Sequence, residues 1–313
     1  MDDTIQYSVL KFGGKSFSTP ELLTRVFGII EREFDLNPKL VLVFSAFQGM
    51  THKLEEIAAK AARGNSDYES EFDDFCAFHI QFARQVIQGP SLNKVLEKLG
   101  SQHAALKTVL AGVCILLEAT PRTMDYILSF GEFNACFMVE SYLQSKMIPV
   151  QFVDSRDLVL TDNKFGNATV QLEPTKEQVK RRIYSMGNTI PLVPGFTGAT
   201  AGGLFTTLGK GSSDYTAALL ASALETNSFT IWSTVDGILS ADPERVPGAI
   251  TIPQLSYSEA LEMAQVGSRR IHHNAIQIAA DSGIAIKLRN VINPDHQGTL
   301  IGEGPFRDQR KMI

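Results

Sequence analysis

The sequence lacks the marks of an exported, membrane-spanning or nucleic-acid-binding protein. Its start carries no basic segment followed by an apolar one, and its longest apolar run, residues 109–117, is far shorter than the roughly 20 residues that cross a bilayer. Acidic side chains (34) outnumber basic ones (29), which gives a formal charge of −5 and no general attraction to nucleic acid or anionic lipid. We therefore expect a cytoplasmic protein that binds neither a membrane nor nucleic acid.

Cysteine and histidine are also scarce. Cys76, Cys114 and Cys136 are widely spaced and form no C-x-x-C pair, and the six histidines form no H-x-x-x-H pattern. Such cysteines are typical of reduced thiols that pack as small hydrophobic side chains. The sequence therefore predicts reduced thiols and no metal site built from protein side chains.

The N-terminal region carries strand and helix signals in alternation, within a chain of 313 residues of which 44% are hydrophobic. Ser8–Phe12 has the pattern of a strand, and Thr19 followed by Pro20 is typical of a helix start. Leu40–Phe44 is apolar at every residue, as a strand covered on both faces should be. This βαβ unit predicts a parallel sheet.

The rest of the chain continues this class with one long helical section. Over residues 52–145 the apolar side chains recur at intervals of three and four, which predicts helices inserted into the first sheet unit or following it. Further strands are predicted at residues 148–153, 190–193, 228–232 and 284–288, and helices at residues 176–186, 215–224 and 256–281. The pattern predicts an α/β fold throughout.

Two modest polar clusters follow predicted strands, where the ligands of parallel sheets gather. Lys11 lies at the end of the first strand, and Gly13 and Gly14 follow it. A lysine beside glycine N–H groups can approach a phosphate, although the spacing matches neither the Walker A nor the dinucleotide motif. Residues 45–51 offer two hydroxyls and a glycine before a helix, which suits a small polar ligand. An ordinary strand-to-helix turn explains either cluster about equally well.

A third cluster is more specific. Residues 195–203 form a glycine-rich stretch, and residues 209–216 then bring Lys210 to the start of an alanine-rich helix. A glycine-rich turn, a cation and a helix N-terminus together favour an anion such as a carboxylate or a phosphate. Asp214 could also simply cap that helix, but the density of polar groups after a strand indicates a binding site.

Motifs along nearly the whole chain, from about residue 8 to residue 302, resemble in order those of the aspartate kinases of the amino acid kinase family. They are K-F-G-G at 11–14, the turn at 45–51, S-F-G-E at 129–132, K-F-G-N-A at 164–168, G-F-T-G at 195–198, and the segments 206–216, 231–243 and 298–300. The resemblance implies a three-layer αβα fold with a central, mainly parallel sheet and a helical insertion. It also implies a single catalytic domain over residues 1–313, with an amino-acid-binding part at about 1–194 and a nucleotide-binding part at about 195–302.

Members of this family transfer the γ-phosphoryl group of ATP to the β-carboxylate of L-aspartate. Because a carboxylate is already ionised at neutral pH, the reaction needs no general base, and catalysis rests on positioning and positive charge. We therefore expect Lys11 to bind the transferring phosphoryl group, helped by the N–H groups of Gly13 and Gly14. In the family, the aspartate that matches Asp214 belongs to the reaction centre and organises the cationic side chains.

The resemblance also implies the ligand contacts, with Glu132 suited to the α-ammonium group of the substrate and Lys210 to a carboxylate. The residues that match aspartate contacts are Ser45, Thr51, Glu132, Lys210 and Ser213. Those that match the nucleotide site, where Mg²⁺ would bridge phosphate oxygens of ATP, are Gly13, Gly14, Ser233, Thr234, Asp242 and Arg269.

Departures from the family pattern leave two alternatives open. Lys15 stands where the family has threonine and Lys210 where it has arginine, which favours a divergent kinase of another small amino acid or an analogue in a specialised pathway. Thr234, Glu244 and Arg269 replace other residues in the nucleotide motifs, which favours a pseudokinase of low activity. Against the second alternative stand the residues retained in the expected site: Lys11, Glu132, Ser213 and Asp214.

The C-terminal end bears on regulation. Aspartate kinases commonly carry tandem ACT regulatory domains after the kinase domain, whereas only residues 303–313 follow the last matching segment. We therefore expect no ACT domain in this chain and no feedback site for lysine or threonine. A homodimer is a further expectation that no motif tests.

Overall fold

The computed structural model describes residues 6–241, 245–265 and 271–304. The helices in this part of the chain are α1 (Pro20–Leu36), α2 (Met50–Ala61), α3 (Asp67–Val86), α4 (Pro90–Leu116), α5 (Pro121–Ser145), α6 (Leu172–Tyr184), α7 (Ser213–Ala223), α8 (Tyr257–Gln265) and α9 (His273–Ser282). The strands are β1 (Ser8–Phe12), β2 (Leu40–Phe44), β3 (Val150–Phe152), β4 (Leu160–Thr161), β5 (Ile190–Pro194), β6 (Thr197–Thr200), β7 (Phe205–Thr207), β8 (Ser228–Ser233), β9 (Gln254–Ser256), β10 (Ala285–Asn290) and β11 (Thr299–Gly302).

Eight of these strands form one sheet in the order β3-β5-β2-β1-β8-β10-β11-β9. The six strands from β3 to β10 in this order are parallel, and only β11 runs antiparallel to its neighbour β10. A small second sheet has the order β4-β6-β7. The carboxyl ends of the parallel strands therefore meet at one edge of the large sheet, as the βαβ pattern predicts.

The two faces of the large sheet are covered by different helices. Side chains alternate along a strand, so Val9, Val41 and Val43 face one side and pack against residues of α6, α7 and α9. Leu10 and Leu42 face the other side and pack against residues of α1 and α5. The result is a three-layer αβα fold with a central, mainly parallel sheet, which confirms the predicted fold class.

Helices α2 to α5 form the predicted helical section, with a third apolar cluster of their own. Within the described residues, α4 is the one helix that is long and apolar enough to cross a membrane by length and composition. Its residues Val95, Leu99, Leu106 and Leu110 are fully buried against neighbouring helices, whereas Ile115 and Leu116 at its end are exposed.

Most of the predicted elements are confirmed, and several bounds are not. β1 and β2 have the predicted limits, and α1 begins at Pro20 with the Thr19 hydroxyl accepting a hydrogen bond from the N–H of Leu22 at 3.3 Å. The single helix predicted over residues 256–281 is wrong, because His272 has an extended backbone and caps the start of a separate helix, α9. Part of the glycine-rich stretch after β5 forms β6, which pairs with β7 in a hairpin that the sequence analysis did not predict.

Candidate active site

The candidate site lies at the carboxyl edge of the large sheet. Phe12, the last residue of β1, pairs with Phe44 at the end of β2 and with Trp232 near the end of β8. The N–H of Gly195, which follows β5, donates to the carbonyl of Phe44 at 2.9 Å. The polar segments that follow four different strands are therefore brought side by side.

Lys11 and Asp214 form a buried ion pair at this edge. Lys11 Nζ lies 2.7 Å from Asp214 Oδ1, and both side chains are about nine-tenths buried. Asp214 also accepts a hydrogen bond from the backbone N–H of His272 at 3.3 Å, which ties it to the start of α9. Because water is largely excluded from this pair, its two charges interact with little screening.

A cavity of about 320 Å³ is lined by residues from both halves of the chain, and one of them, Ser213, directly precedes Asp214 of this pair. It contains every residue that the sequence analysis assigned to aspartate: Ser45, Thr51, Glu132, Lys210 and Ser213. The division into an amino-acid-binding part before residue 195 and a nucleotide-binding part after it stays a prediction, and this cavity crosses that boundary.

Glu132 places a buried carboxyl group in the wall of the cavity. It is 3% exposed, and its Oε2 has no hydrogen-bond partner among the described residues. Burial raises its pKa to about 8, an effect that hydrogen bonding from the backbone of Ala46 only partly offsets. A buried carboxylate without a cationic partner is suited to bind a ligand ammonium group.

Lys210 is held by a residue that the sequence analysis did not single out. Its Nζ donates a hydrogen bond to Glu55 Oε2 at 2.8 Å, and His52 Nδ1 lies 3.5 Å from the same oxygen. Glu55 and His52 both line the cavity. The lysine predicted to bind a substrate carboxylate thus already has a carboxylate partner within the chain.

Two glycines allow the polar segments to approach each other closely. A Cβ at Gly14 would lie 2.1 Å from the carbonyl oxygen of Ala46, and a Cβ at Gly195 would lie 2.6 Å from the Cβ of Ser213. These contacts require glycine for packing at both positions. The N–H of Gly13 donates to the carbonyl of Trp232 at 3.3 Å, so this group has an acceptor within the chain, and its contact with phosphate stays a prediction.

Asp125 holds two segments near the residues that are predicted to bind the substrate. It is 1% exposed, and its carboxylate accepts hydrogen bonds from the N–H of Gly166 at 2.9 Å and from the N–H and hydroxyl of Thr207 at 3.0 and 2.6 Å. It thereby joins α5, which carries Glu132, to β7, which leads into Lys210. No motif identified Asp125 in advance, although it lies only seven residues before Glu132 on the same helix.

The predicted nucleotide residues are described only in part. Ser233 ends β8 and Thr234 follows it, next to the turn after β1, while Asp242 and Arg269 lie outside the described residues. Thr299 stabilises the segment that follows β8. Its hydroxyl donates to the carbonyl of Ile252 and accepts a hydrogen bond from the N–H of Ile238. The G-T-L motif at residues 298–300 thus has a structural role at the base of the loop that follows β8.

Phe196 is a further cavity residue to which the sequence analysis gave no role. Its φ of 71° lies in the left-handed region, which residues with large side chains rarely adopt. Two hydrogen bonds hold this conformation. The N–H of Phe196 donates to the Thr216 hydroxyl at 3.1 Å, and the N–H of Leu208 donates to the Phe196 carbonyl at 2.9 Å. The sequence feature that points to Phe196 is its place in the G-F-T-G motif.

The chain is similar to plant aspartokinases. It is 32% identical to aspartokinase 2, chloroplastic, of Arabidopsis thaliana, over 97% of this chain and 56% of that protein. It is 29% identical to bifunctional aspartokinase/homoserine dehydrogenase 1, chloroplastic, of Zea mays, over 96% of this chain and 33% of that protein. The chain therefore spans between a third and just over half the length of these relatives.

Solved structures agree with this similarity. The fold matches Escherichia coli aspartokinase III in complex with aspartate and ADP (R-state) with a TM-score of 0.88 at 25% identity, over 96% of this chain and 66% of that one. The match to the same enzyme in complex with lysine and aspartate (T-state) has a TM-score of 0.84 at 26% identity and the same coverage. The family model described as the amino acid kinase family matches residues 6–290, and the chain therefore belongs to that family.

Proposed function

We propose that the chain transfers the γ-phosphoryl group of ATP to the β-carboxylate of L-aspartate, which yields 4-phospho-L-aspartate and ADP. The observation that carries the proposal is the cavity in which an unpaired buried carboxylate, a lysine and three hydroxyl side chains meet beside the Lys11–Asp214 pair. These groups suit an amino acid with an ammonium group and two carboxylates. Similarity to an aspartokinase solved with aspartate and ADP supports the same substrate and nucleotide.

In the proposed reaction, a β-carboxylate oxygen attacks the γ-phosphorus and the bond from that phosphorus to the bridging oxygen of ADP breaks. The nucleophile is already ionised, so no side chain has to remove a proton. Lys11 lowers the repulsion between the two anions, and Asp214 holds the lysine in place through the 2.7 Å ion pair. Glu132 binds the α-ammonium group, and Ser45, Thr51 and Ser213 offer hydrogen bonds that orient the substrate.

Mg²⁺ would enter with the nucleotide. Within the described residues, no group of three histidine, cysteine, aspartate or glutamate side chains could hold a metal ion. Phosphate oxygens and water would therefore supply most of the ligands, which is the usual manner of Mg²⁺ binding to ATP. The ion would neutralise phosphate charge while the residues of the chain position the two substrates.

The test is ADP release by the purified chain with Mg-ATP and a panel of amino acids and acidic analogues. We expect L-aspartate to have the highest kcat/KM and Asp214→Asn to abolish the activity. A different preferred acid would favour the divergent kinase that Lys15 and Lys210 suggest. ADP release that no acid stimulates would contradict the proposal.

A further inference from the structure

Glu55 offsets the positive charge that Lys210 brings to the cavity. Of the residues that line the cavity in the described part of the chain, Lys210 alone carries a permanent positive charge. Its Nζ is 2.8 Å from Glu55 Oε2, and Glu55 is largely buried on α2, one helical turn after Thr51. A substrate carboxylate that approaches Lys210 therefore meets a cation whose charge an internal carboxylate already offsets.

The ammonium group of a lysine makes Glu55 and a substrate carboxylate compete for the same charge. An ammonium group is a single point charge with three donors, whereas a guanidinium has five donors in a fork that can serve two carboxylates at once. Two carboxylates that share one ammonium also repel each other. Because the Lys210 side chain is 77% exposed, water screens these interactions and limits their effect on affinity to a few-fold.

The proposed reaction determines which of the two substrate carboxylates approaches Lys210. The β-carboxylate has to face the phosphoryl group near Lys11, and the ammonium group is drawn to Glu132. The α-carboxylate is then the group left for Lys210.

We propose that Glu55 is a specificity-determining residue that competes with the substrate's α-carboxylate for Lys210. It weakens the binding of a free amino acid relative to the corresponding α-amide, which has no charge at that position. This inference rests on the proposed function for the identity and the orientation of the substrate, and on the contact between the two side chains for the competition.

The test uses Glu55→Gln, which removes the negative charge and keeps an oxygen that can accept the Lys210 hydrogen bond. The matched control is Glu56→Gln, since Glu56 is the next residue on α2, contacts His52 at 3.5 Å and does not line the cavity. The substrates are L-aspartate and L-aspartate α-amide, which both carry the β-carboxylate. We expect Glu55→Gln to lower the KM for L-aspartate by about two- to fivefold with nearly unchanged kcat, and to leave the α-amide and the control variant unaffected.

Three outcomes would overturn the inference. A higher KM for L-aspartate would show that Glu55 positions Lys210 for the substrate and does not compete with it. An equal gain for the acid and the amide would show that the α-carboxylate does not meet Lys210. Equal affinity of L-aspartate for the Glu55→Gln and Glu56→Gln variants, measured by titration calorimetry, would show that Glu55 does not compete with the substrate.

The calorimetric measurement also separates this inference from the proposed function. Wild-type protein that binds L-aspartate but releases no ADP would reject the kinase activity. Tighter binding of L-aspartate to Glu55→Gln than to Glu56→Gln would still support the competition in that case.

Discussion

The buried pair of Lys11 and Asp214 is the residue-scale feature on which the proposed catalysis depends. If one partner is removed, the other charge stays in a site that excludes water, which is costly. We expect Lys11→Met to lower kcat by about a hundredfold or more and to lower the free energy of unfolding by about 3 kcal/mol. Steady-state kinetics and urea denaturation measure the two effects separately.

A double variant distinguishes catalysis from stability at this pair. Lys11→Met combined with Asp214→Asn leaves no buried charge, so the stability should largely return while the activity stays low. Recovery of activity together with stability would show that Lys11 acts only as a structural partner of Asp214.

The raised pKa of Glu132 predicts a pH dependence for the proposed binding of L-aspartate and determines its sign. Burial raises this pKa to about 8, so below pH 8 the free site is mainly protonated, while a bound ammonium group favours the ionised form. Affinity for L-aspartate should therefore rise as the pH increases from 6 to 8, by up to about tenfold per pH unit, and then level off. Calorimetric titrations over this range measure the dependence.

Glu132→Gln is the control for that prediction, because glutamine keeps the size and cannot ionise. Its affinity for L-aspartate should be low and nearly independent of pH between 6 and 8. A pH dependence that persists in the variant would assign the titration to another group.

At the scale of elements, Asp125 is the residue that joins α5 to β7 and to the loop at Gly166. The Asp125 carboxylate accepts from three donors: the N–H of Gly166 and the N–H and hydroxyl of Thr207. Asparagine would replace one accepting oxygen with an NH₂ group, so at least one of these buried donors would lose its acceptor. We expect Asp125→Asn to lower the free energy of unfolding by about 1–3 kcal/mol and to raise the KM for L-aspartate, since Lys210 lies three residues after Thr207. A variant of normal stability with a normal KM would contradict this positioning role.

The sequence predicted the larger elements well because they depend on local periodicity. Leu40–Phe44, apolar at every residue, is fully buried in the centre of the sheet, and Thr19 and Pro20 start α1 as their residue types require. The hairpin of β6 and β7 was missed because its strands are short and contain few apolar residues, and pairing between them is a tertiary effect. The predicted helix over residues 256–281 failed because its apolar periodicity does not reveal a break.

The candidate site was predictable to the extent that motifs mark it. Ser45, Thr51, Glu132, Lys210 and Ser213 come from three separate motifs and line one cavity. Glu55 and Asp125 belong to no motif, so their contacts with Lys210 and Thr207 could only be found in three dimensions. The N–H of Gly13 has an acceptor that lies on another strand, which no local pattern reveals.

At the scale of the whole molecule, two buried histidines set a limit on stability in acid. His79 and His103 lie on α3 and α4, and burial lowers their pKa values to about 3 and about 4. Both are neutral in the folded protein, whereas in the unfolded chain they bind protons below pH 6.5. Their contribution to stability is therefore lost progressively as the pH falls from about 6.5 toward 4.

We expect the two histidines together to reduce the free energy of unfolding by about 3 kcal/mol between pH 7.5 and pH 5.5. Urea denaturation of the wild type and of the double variant His79→Gln and His103→Gln measures this loss, and the variant should show a smaller dependence on pH over the same interval. The same dependence in both proteins would assign the acid sensitivity to other groups.

The most direct test of the proposed function is to identify the phosphorylated product. Purified protein is incubated with Mg-ATP, L-aspartate and hydroxylamine, which converts an acyl phosphate to a hydroxamate and releases phosphate. The account predicts β-aspartyl hydroxamate in a one-to-one ratio to ADP, and none when ATP or L-aspartate is omitted. ADP release without the β-hydroxamate would contradict phosphorylation of the β-carboxylate.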